Sequence, residues 1–284
     1  MAEQKSTIAD EWLYFKIYTG IKTADTILEE SIEPLVKYLQ ENNHILKWFF
    51  IRYNDPKSHL RIRFKLNRTN KTEHYVKALD EINQTLQQYI ESGEISTILI
   101  DRYKQEVERY GSNTMEDAET LFHKNSEFTL QCLHYNNVEK ITVNLFYIDE
   151  LLNKINTSIE KKLEWIINLN NAFKKEFNVD KRLNSQLDKK YREFKPQYLN
   201  FIRSEEFLEE RNLIIANIEA SNTAFQNIIH HHENQSLEIP LQSFFQSIFH
   251  MNINRLFISD QRLFEMVIYD YLRRYYKTEA FKSS

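Results

Sequence analysis

The order of patterned segments in the first hundred residues restricts the fold more than any other feature of the chain. WLYFKIY (12–18) is short and dense in aromatic and β-branched residues, a strand signature. Ala24, Ile27, Leu28, Ile32, Leu35, Val36 and Leu39 then recur at helical spacing. Pro34 lies inside that stripe and is expected to break or kink the helix. ILKWFFIRY (45–53), NDPKS (54–58) and HLRIRFKL (59–66) read as strand, turn and strand, hence a hairpin. Residues 72–91 form a helical pattern with Val76, Leu79, Ile82, Leu86 and Ile90 on one side, closed by Gly93. EISTILIDRY (94–103) reads as another strand. Strand, helix, strand, strand, helix, strand is the split βαβ, ferredoxin-like order.

After Gly111 the texture becomes helical. Thr114 followed by Asp117 resembles a capping pair, opening a helix that runs to about residue 134. Helical patterns then cover 138–153, 158–177, 186–202, 205–232, 241–257 and 260–276, with a break at ENQSLEI and Pro240. The expected fold class is α+β, with a ferredoxin-like α/β lobe (1–111) carrying an antiparallel sheet. It is packed on a mainly helical lobe (112–284). No Pro/Ser-rich linker separates the lobes, which implies a shared interface and leaves a single domain open.

Composition removes several function classes. The three glycines, Gly20, Gly93 and Gly111, cannot assemble a GxGxxG or GxxxxGK[ST] phosphate loop. The single cysteine, Cys132, excludes an intrachain disulfide, a CxxC pair and a Cys-rich zinc site, and it suits a reducing cytosol. The net charge of −4 argues against direct nucleic-acid binding. Residues 1–11 are polar, expected to be loose, and carry no apolar signal-peptide core. No apolar run approaches membrane-spanning length. The expected setting is the cytoplasm.

Three segments carry candidate chemistry. On a strand His59, Arg61 and Arg63 share one face, opposite Leu60, Ile62 and Phe64. Two guanidiniums on one face are either paired with carboxylates of the same protein or form an anion pocket for a carboxylate or oxyanion. YKQEVERYG (103–111) crowds Tyr103, Glu106, Arg109 and Tyr110, with Gly111 free to take a positive φ. It reads as an anion site or as an Arg–Glu structural joint. In FHMNINRLF (249–257) His250 and Asn254 share a helix face, as an acid–base group or a hydrogen-bonded core histidine. HHHE (230–233) lacks metal-ligand spacing and reads as a solvated helix end, so no metal is expected. Cys132 reads as an inert core thiol, and the charged helix 161–177 as a packing or partner surface.

WFFIRYNDPKSHLRIRF, ERYGSNTMEDAETLF and FHMNINRL, followed by a tail of about thirty residues with an aromatic, basic helix, together resemble one family. It is the C-terminal domain of lantibiotic dehydratases, also described as the thiopeptide-type bacteriocin biosynthesis domain. The likeness runs from Trp12 to about Tyr276. In full-length members a large N-terminal region esterifies Ser and Thr of a precursor peptide with glutamate from glutamyl-tRNA. The C-terminal domain then eliminates the glutamate to leave dehydroalanine or dehydrobutyrine. Relatives of the same fold build thiopeptide pyridine rings by a formal [4+2] cycloaddition without the elimination residues.

The resemblance therefore implies a stand-alone elimination component, a lyase, of a split dehydratase. Its alternatives are a pyridine-forming cyclase or a non-catalytic partner of the glutamylating subunit. It carries the elimination roles onto Arg61, Arg63, Arg109 and His250, with Arg102 an alternative to Arg109. His59, Arg52, Tyr110, Asn254 and Arg255 are the expected substrate-binding set. Asn125, in HKNS, departs from the family's Asp-Ser pair. The implied arrangement gives Arg61 and Arg63 the glutamyl carboxylates and the developing oxyanion, while Arg109 completes the cationic pocket. His250 shuttles the proton. No cofactor is implied. The implied partners are the glutamylated ribosomal precursor peptide and a glutamylating dehydratase subunit, with a homodimer left open.

Overall fold

The structure is a computed structural model that describes residues 11–283; the segment expected to be loose at 1–10 lies outside the described residues. The described chain is mixed α+β, mostly helical, with one four-stranded antiparallel sheet. It divides into two compact units, Met1–Leu133 and His134–Ser284.

In the first unit the strands are β1 (Trp12–Thr19), β2 (Ile45–Asn54), β3 (Ser58–Leu66) and β4 (Ile95–Asp101), in the spatial order β2-β3-β1-β4. Every neighbouring pair is antiparallel. That is the split βαβ order expected from the sequence. Helices α1 (Thr23–Ile27), α2 (Glu33–Glu41) and α3 (Lys71–Glu91) contribute Ile27, Leu39, Ala78, Ile82 and Leu86 to a core. The sheet contributes Leu13, Phe15, Ile17, Trp48, Phe50, Leu60, Ile62 and Phe64 to the same core. Burying these side chains, each worth roughly 1.5–3 kcal/mol, sets the sheet register.

Pro34 does not break its helix. A π-turn over Leu28–Ile32 widens the helix, and Pro34 falls at the start of α2. There a missing N–H costs little. Gly93 takes φ 78° after α3 and Gly111 takes φ 74° after the short helix α4 (Val107–Tyr110), as a chain reversal at each point requires.

Helix α5 (Met115–Gln131) packs beside β2 and covers its outer edge. The Ser126 hydroxyl accepts from the Phe50 N–H at 3.3 Å, and His123 Nδ1 lies 3.0 Å from the Trp48 carbonyl. Edge groups that would otherwise recruit another strand are thereby occupied. Thr114 is not a side-chain cap of α5; its hydroxyl donates to the Tyr110 carbonyl four residues back. Burial holds the His123 imidazole neutral, with its pKa brought down to about 4. Below about pH 6.5 the unfolded chain therefore takes up the proton first. Stability should fall as pH drops from about 6.5 towards 4, by roughly 2–3 kcal/mol at this one group. Urea unfolding at pH 7 and pH 4.5 checks this: His123→Gln should flatten the slope, and an unchanged slope would refute it.

The second unit contains α6 (Asn137–Lys154), α7 (Ile159–Glu176), α8 (Lys181–Arg203), α9 (Leu208–Glu219), α10 (Asn222–Glu233), α11 (Leu241–Leu256) and α12 (Gln261–Ser283). The single helix expected over 205–232 is instead a 3₁₀ turn (Glu205–Phe207) and two helices broken at Ala220–Ser221. Helix α6 opens with a full capping box, Asn136 with Glu139. Two buried charge groups tie the helices. Lys162 reaches Asp149 at 2.7 Å, and the Tyr276 hydroxyl donates to the same oxygen at 2.8 Å. Fully buried Asp270 accepts from Lys174, Arg273 and Arg274. No described helix is long and apolar enough to cross a membrane.

Candidate functional site

Strand β3 lies between β2 and β1, so its side chains facing away from the α1–α3 core have neighbours on both sides. The row is His59, Arg61, Arg63 and Lys65, set by the two-residue period. The four cations are treated differently. Lys65 is neutralised by Glu116 at 2.7 Å, with Glu119 at 3.9 Å. Neither Arg61 nor Arg63 has a carboxylate within ion-pair distance among the described residues. The alternative of a solvated face with internal Glu partners is not what the side chains form.

Arg63 is 6% exposed. Its register partners are Tyr14 on β1 and Phe49 on β2. Their rings lie 4.4 and 5.1 Å from its guanidinium carbon, and Tyr103 closes the cage at 4.9 Å. Its Nε and Nη1 are buried with no hydrogen-bond partner. Burial lowers its pKa; Tyr14, Tyr103 and Glu106 act the other way, and Arg61 adds to the lowering. A buried ion without a counter-ion costs several kcal/mol. Three cation–π contacts, each on the order of 0.5–2 kcal/mol, offset part of that cost. What remains is a desolvated cation with two aimed donors and no anion.

Arg61 is half-buried. Its guanidinium stacks 3.5 Å from the Tyr53 ring centre, and its Nε donates to His59 Nε2 at 3.1 Å. His59 Nδ1–H donates to the Lys57 carbonyl at 2.8 Å, which leaves Nε2 as the acceptor and fixes one neutral tautomer. Burial, with Arg61 and Lys16 nearby, lowers the His59 pKa, while the Lys57 contact opposes this. The ring is held between Tyr18 and Tyr53. His59 therefore braces Arg61. Lys16, next to Arg61 on β1, is taken up by Asp101.

Arg109, on α4, is half-exposed and paired with Glu106 at 3.0 Å. Tyr110 is buried against Phe122, with its ring at 5.0 Å. Arg52 points the other way. It lies on the core side of β2 and is bound by Asp25 of α1 at 2.6 Å. The geometry makes Arg52 a strut between sheet and helix. Asn125 is buried in α5.

The sequence reading missed Tyr14, Phe49 and Glu119. Tyr14 and Phe49 are the cross-strand neighbours of Arg63, visible only once register is known. Glu119 is fully buried, accepts from Gln105 at 2.7 Å, and has its pKa raised by burial against the opposing Gln105 and Lys65. It adjoins Tyr103, whose own pKa is raised by burial and by Glu119.

In the second unit His250 of α11 is one-third exposed. Its Nδ1 lies 2.9 Å from Oε1 of Glu265 on α12. Asn254 is half-buried one turn on, and Arg255 is 1% exposed. The HHHE run ends α10, with His231 Nδ1 2.8 Å from the Ser236 hydroxyl. Among the described residues no three His, Cys, Asp or Glu side chains are grouped to hold a metal ion. Cys132 is buried.

The family model described as lantibiotic biosynthesis dehydratase C-term matches residues 12–276, and the chain belongs to that family. It is 28% identical to the nisin biosynthesis protein NisB of Lactococcus lactis subsp. lactis over 277 residues, covering 89% of this chain and 26% of NisB. It is 25% identical to the subtilin biosynthesis protein SpaB of Bacillus subtilis over 182 residues, covering 61% of this chain and 17% of SpaB. The chain thus spans about a quarter or less of the curated relatives it matches. Among solved structures, the tRNA-dependent lantibiotic dehydratase MibB from Microbispora sp. 107891 superposes with a TM-score of 0.70 at 17% identity, covering 99% of this chain and 29% of MibB. TbtD, a pyridine synthase from thiomuracin biosynthesis, superposes with a TM-score of 0.55 at 11% identity, covering 97% of this chain and all of TbtD. At these identities the structural matches speak for the fold.

Proposed function

We propose that this chain is the glutamate-eliminating lyase of a dehydratase system, acting on glutamylated Ser or Thr of a ribosomal precursor peptide. The observation that carries this reading is Arg63, a buried guanidinium with two unpartnered donors inside an aromatic cage. The substrate supplies what the cage lacks, a carboxylate and a carbonyl oxygen that gains negative charge. Arg is shaped to bind either with two parallel hydrogen bonds.

In the reaction a base removes the α proton of the esterified residue. The C–H electron pair becomes the Cα=Cβ bond, the Cβ–O ester bond breaks, and glutamate departs as a carboxylate. The α proton is weakly acidic, so the growing charge on the neighbouring carbonyl oxygen needs fixed positive charge in a dry site. Arg63 supplies it. Arg61, held by His59 and Tyr53, binds the free glutamyl carboxylate, and Arg109 exchanges Glu106 for the carboxylate released as the ester breaks. His250 is assigned the proton transfer. Tyr110, Asn254 and Arg255 support the segments that carry these groups. The glutamyl ester would come from a glutamylating dehydratase subunit.

The test is mass spectrometry of a glutamylated Ser peptide after incubation with the purified chain, with and without that subunit. Loss of the glutamyl group to a product one water lighter than the unmodified peptide is expected. An unchanged peptide in both conditions would overturn the reading. Turnover of an already dehydrated peptide with loss of its leader would instead favour the cycloaddition shared by fold with TbtD, and binding without turnover a non-catalytic role.

A further inference from the structure

The second unit contains an ordered relay of charged side chains behind His250. The buried Glu265 carboxylate, 2% exposed, lies with Oε1 2.9 Å from His250 Nδ1 and with Oε2 accepting from Arg262 Nη1 at 2.8 Å. Arg262 is itself fixed from behind. Its Nε donates to Glu176 Oε1 at 3.2 Å, and its guanidinium carbon lies 4.3 Å from the Phe173 ring centre. Each Glu265 oxygen therefore has an assigned donor, the buried Tyr269 hydroxyl adds a further hydrogen bond, and the carboxylate has no freedom to turn. His250 Nε2 has no hydrogen bond among the described residues, and the side chain is one-third exposed.

We infer that Glu265 is a positioning residue that holds His250 as the Nδ1–H tautomer and keeps Nε2 unprotonated as the outward-facing base. The reasoning is a donor–acceptor count. An ionised carboxylate only accepts, so the hydrogen between it and His250 must belong to Nδ1. A neutral imidazole carries one N–H, so the lone pair is left on Nε2. A carboxylate behind an imidazole fixes ring orientation as well as tautomer, and a wrong tautomer at such a position has cost about 10⁴-fold in another enzyme.

The inference rests on the proposed function only for its effect on rate; the tautomer itself can be read without any substrate. The chain has nine histidines, so the ¹⁵N-histidine spectrum of the full-length protein is assigned by the signals that vanish in His250→Gln. In its neutral form His250 is expected to show an N–H at Nδ1 and a bare Nε2. In Glu265→Gln a single amide oxygen must serve both Arg262 and His250. The charged guanidinium keeps it, the amide NH₂ turns to Nδ1, and the imidazole is forced to the Nε2–H form. Elimination by Glu265→Gln should then fall on the order of 10²-fold or more in kcat with KM little changed.

An Nε2–H tautomer in the unsubstituted protein would overturn the inference, as would a Glu265→Gln spectrum with His250 unchanged. If Glu265→Gln fails to fold, the spectrum of the unsubstituted chain still decides. If that chain shows the expected tautomer but eliminates nothing, the functional reading falls and the relay stands.

Discussion

Replacing Arg63 by Met is expected to slow elimination on the order of 10²–10³-fold while leaving the protein as stable as before or more so. The side chain is buried with two donors unpaired, so its charge is a burden on the folded state. Met keeps most of the volume, packs against Tyr14, Phe49 and Tyr103, and removes the desolvation cost. A buried ion replaced by an apolar side chain of similar size is commonly neutral or stabilising by about 1–4 kcal/mol. Losing a preorganised cation from a developing oxyanion costs on the order of 10²–10³-fold in kcat. Thermal unfolding and single-turnover elimination on the same preparation measure both. A variant that eliminates normally would remove Arg63 from the chemistry. A variant that unfolds several degrees earlier would make Arg63 a structural cation and the cage a packing feature.

His250→Ala is expected to let glutamylated peptide accumulate, with elimination slowed on the order of 10²–10⁴-fold, the usual share of a positioned base. His250 is one-third exposed, and Glu265 keeps its Arg262 partner, so the fold should survive. Mass spectrometry over time gives the readout. If His250 transfers the proton, as proposed, and makes no carboxylate contact, KM for the glutamylated peptide should change little. Loss of Arg61 should raise KM. Equal effects on both constants in both variants would undo the division of roles.

How much of this was legible in the sequence depended on periodicity. The α3 and α7 helices appear because one side faces a core and the apolar residues keep time with the backbone. β2 is different. Trp48 and Phe50 face the α1–α3 core, and Phe49 and Ile51 face α5 and the arginine row, so all four are buried and alternation vanishes. Arg52, expected from the resemblance in the substrate-binding set, lies on the face opposite Arg61 and Arg63 and binds Asp25. The break at Ala220–Ser221 left no signal, since neither residue is a helix breaker.

The RxR strand, the RYG turn and the HMxxNR helix were readable because local spacing alone places Arg61 beside Arg63 and His250 on the face of Asn254. The sequence by itself therefore determined the family, the split βαβ order and the row of charged residues on β3. Only tertiary structure decided what surrounds each charge. It caged Arg63 with rings from β1, β2 and the segment after β4, neutralised Lys65 with Glu116, and set Glu265 behind His250 across a helix break. Those neighbours are joined by strand register and helix packing, which arise from the burial of the whole core and leave no mark in the spacing of the few charged residues they surround.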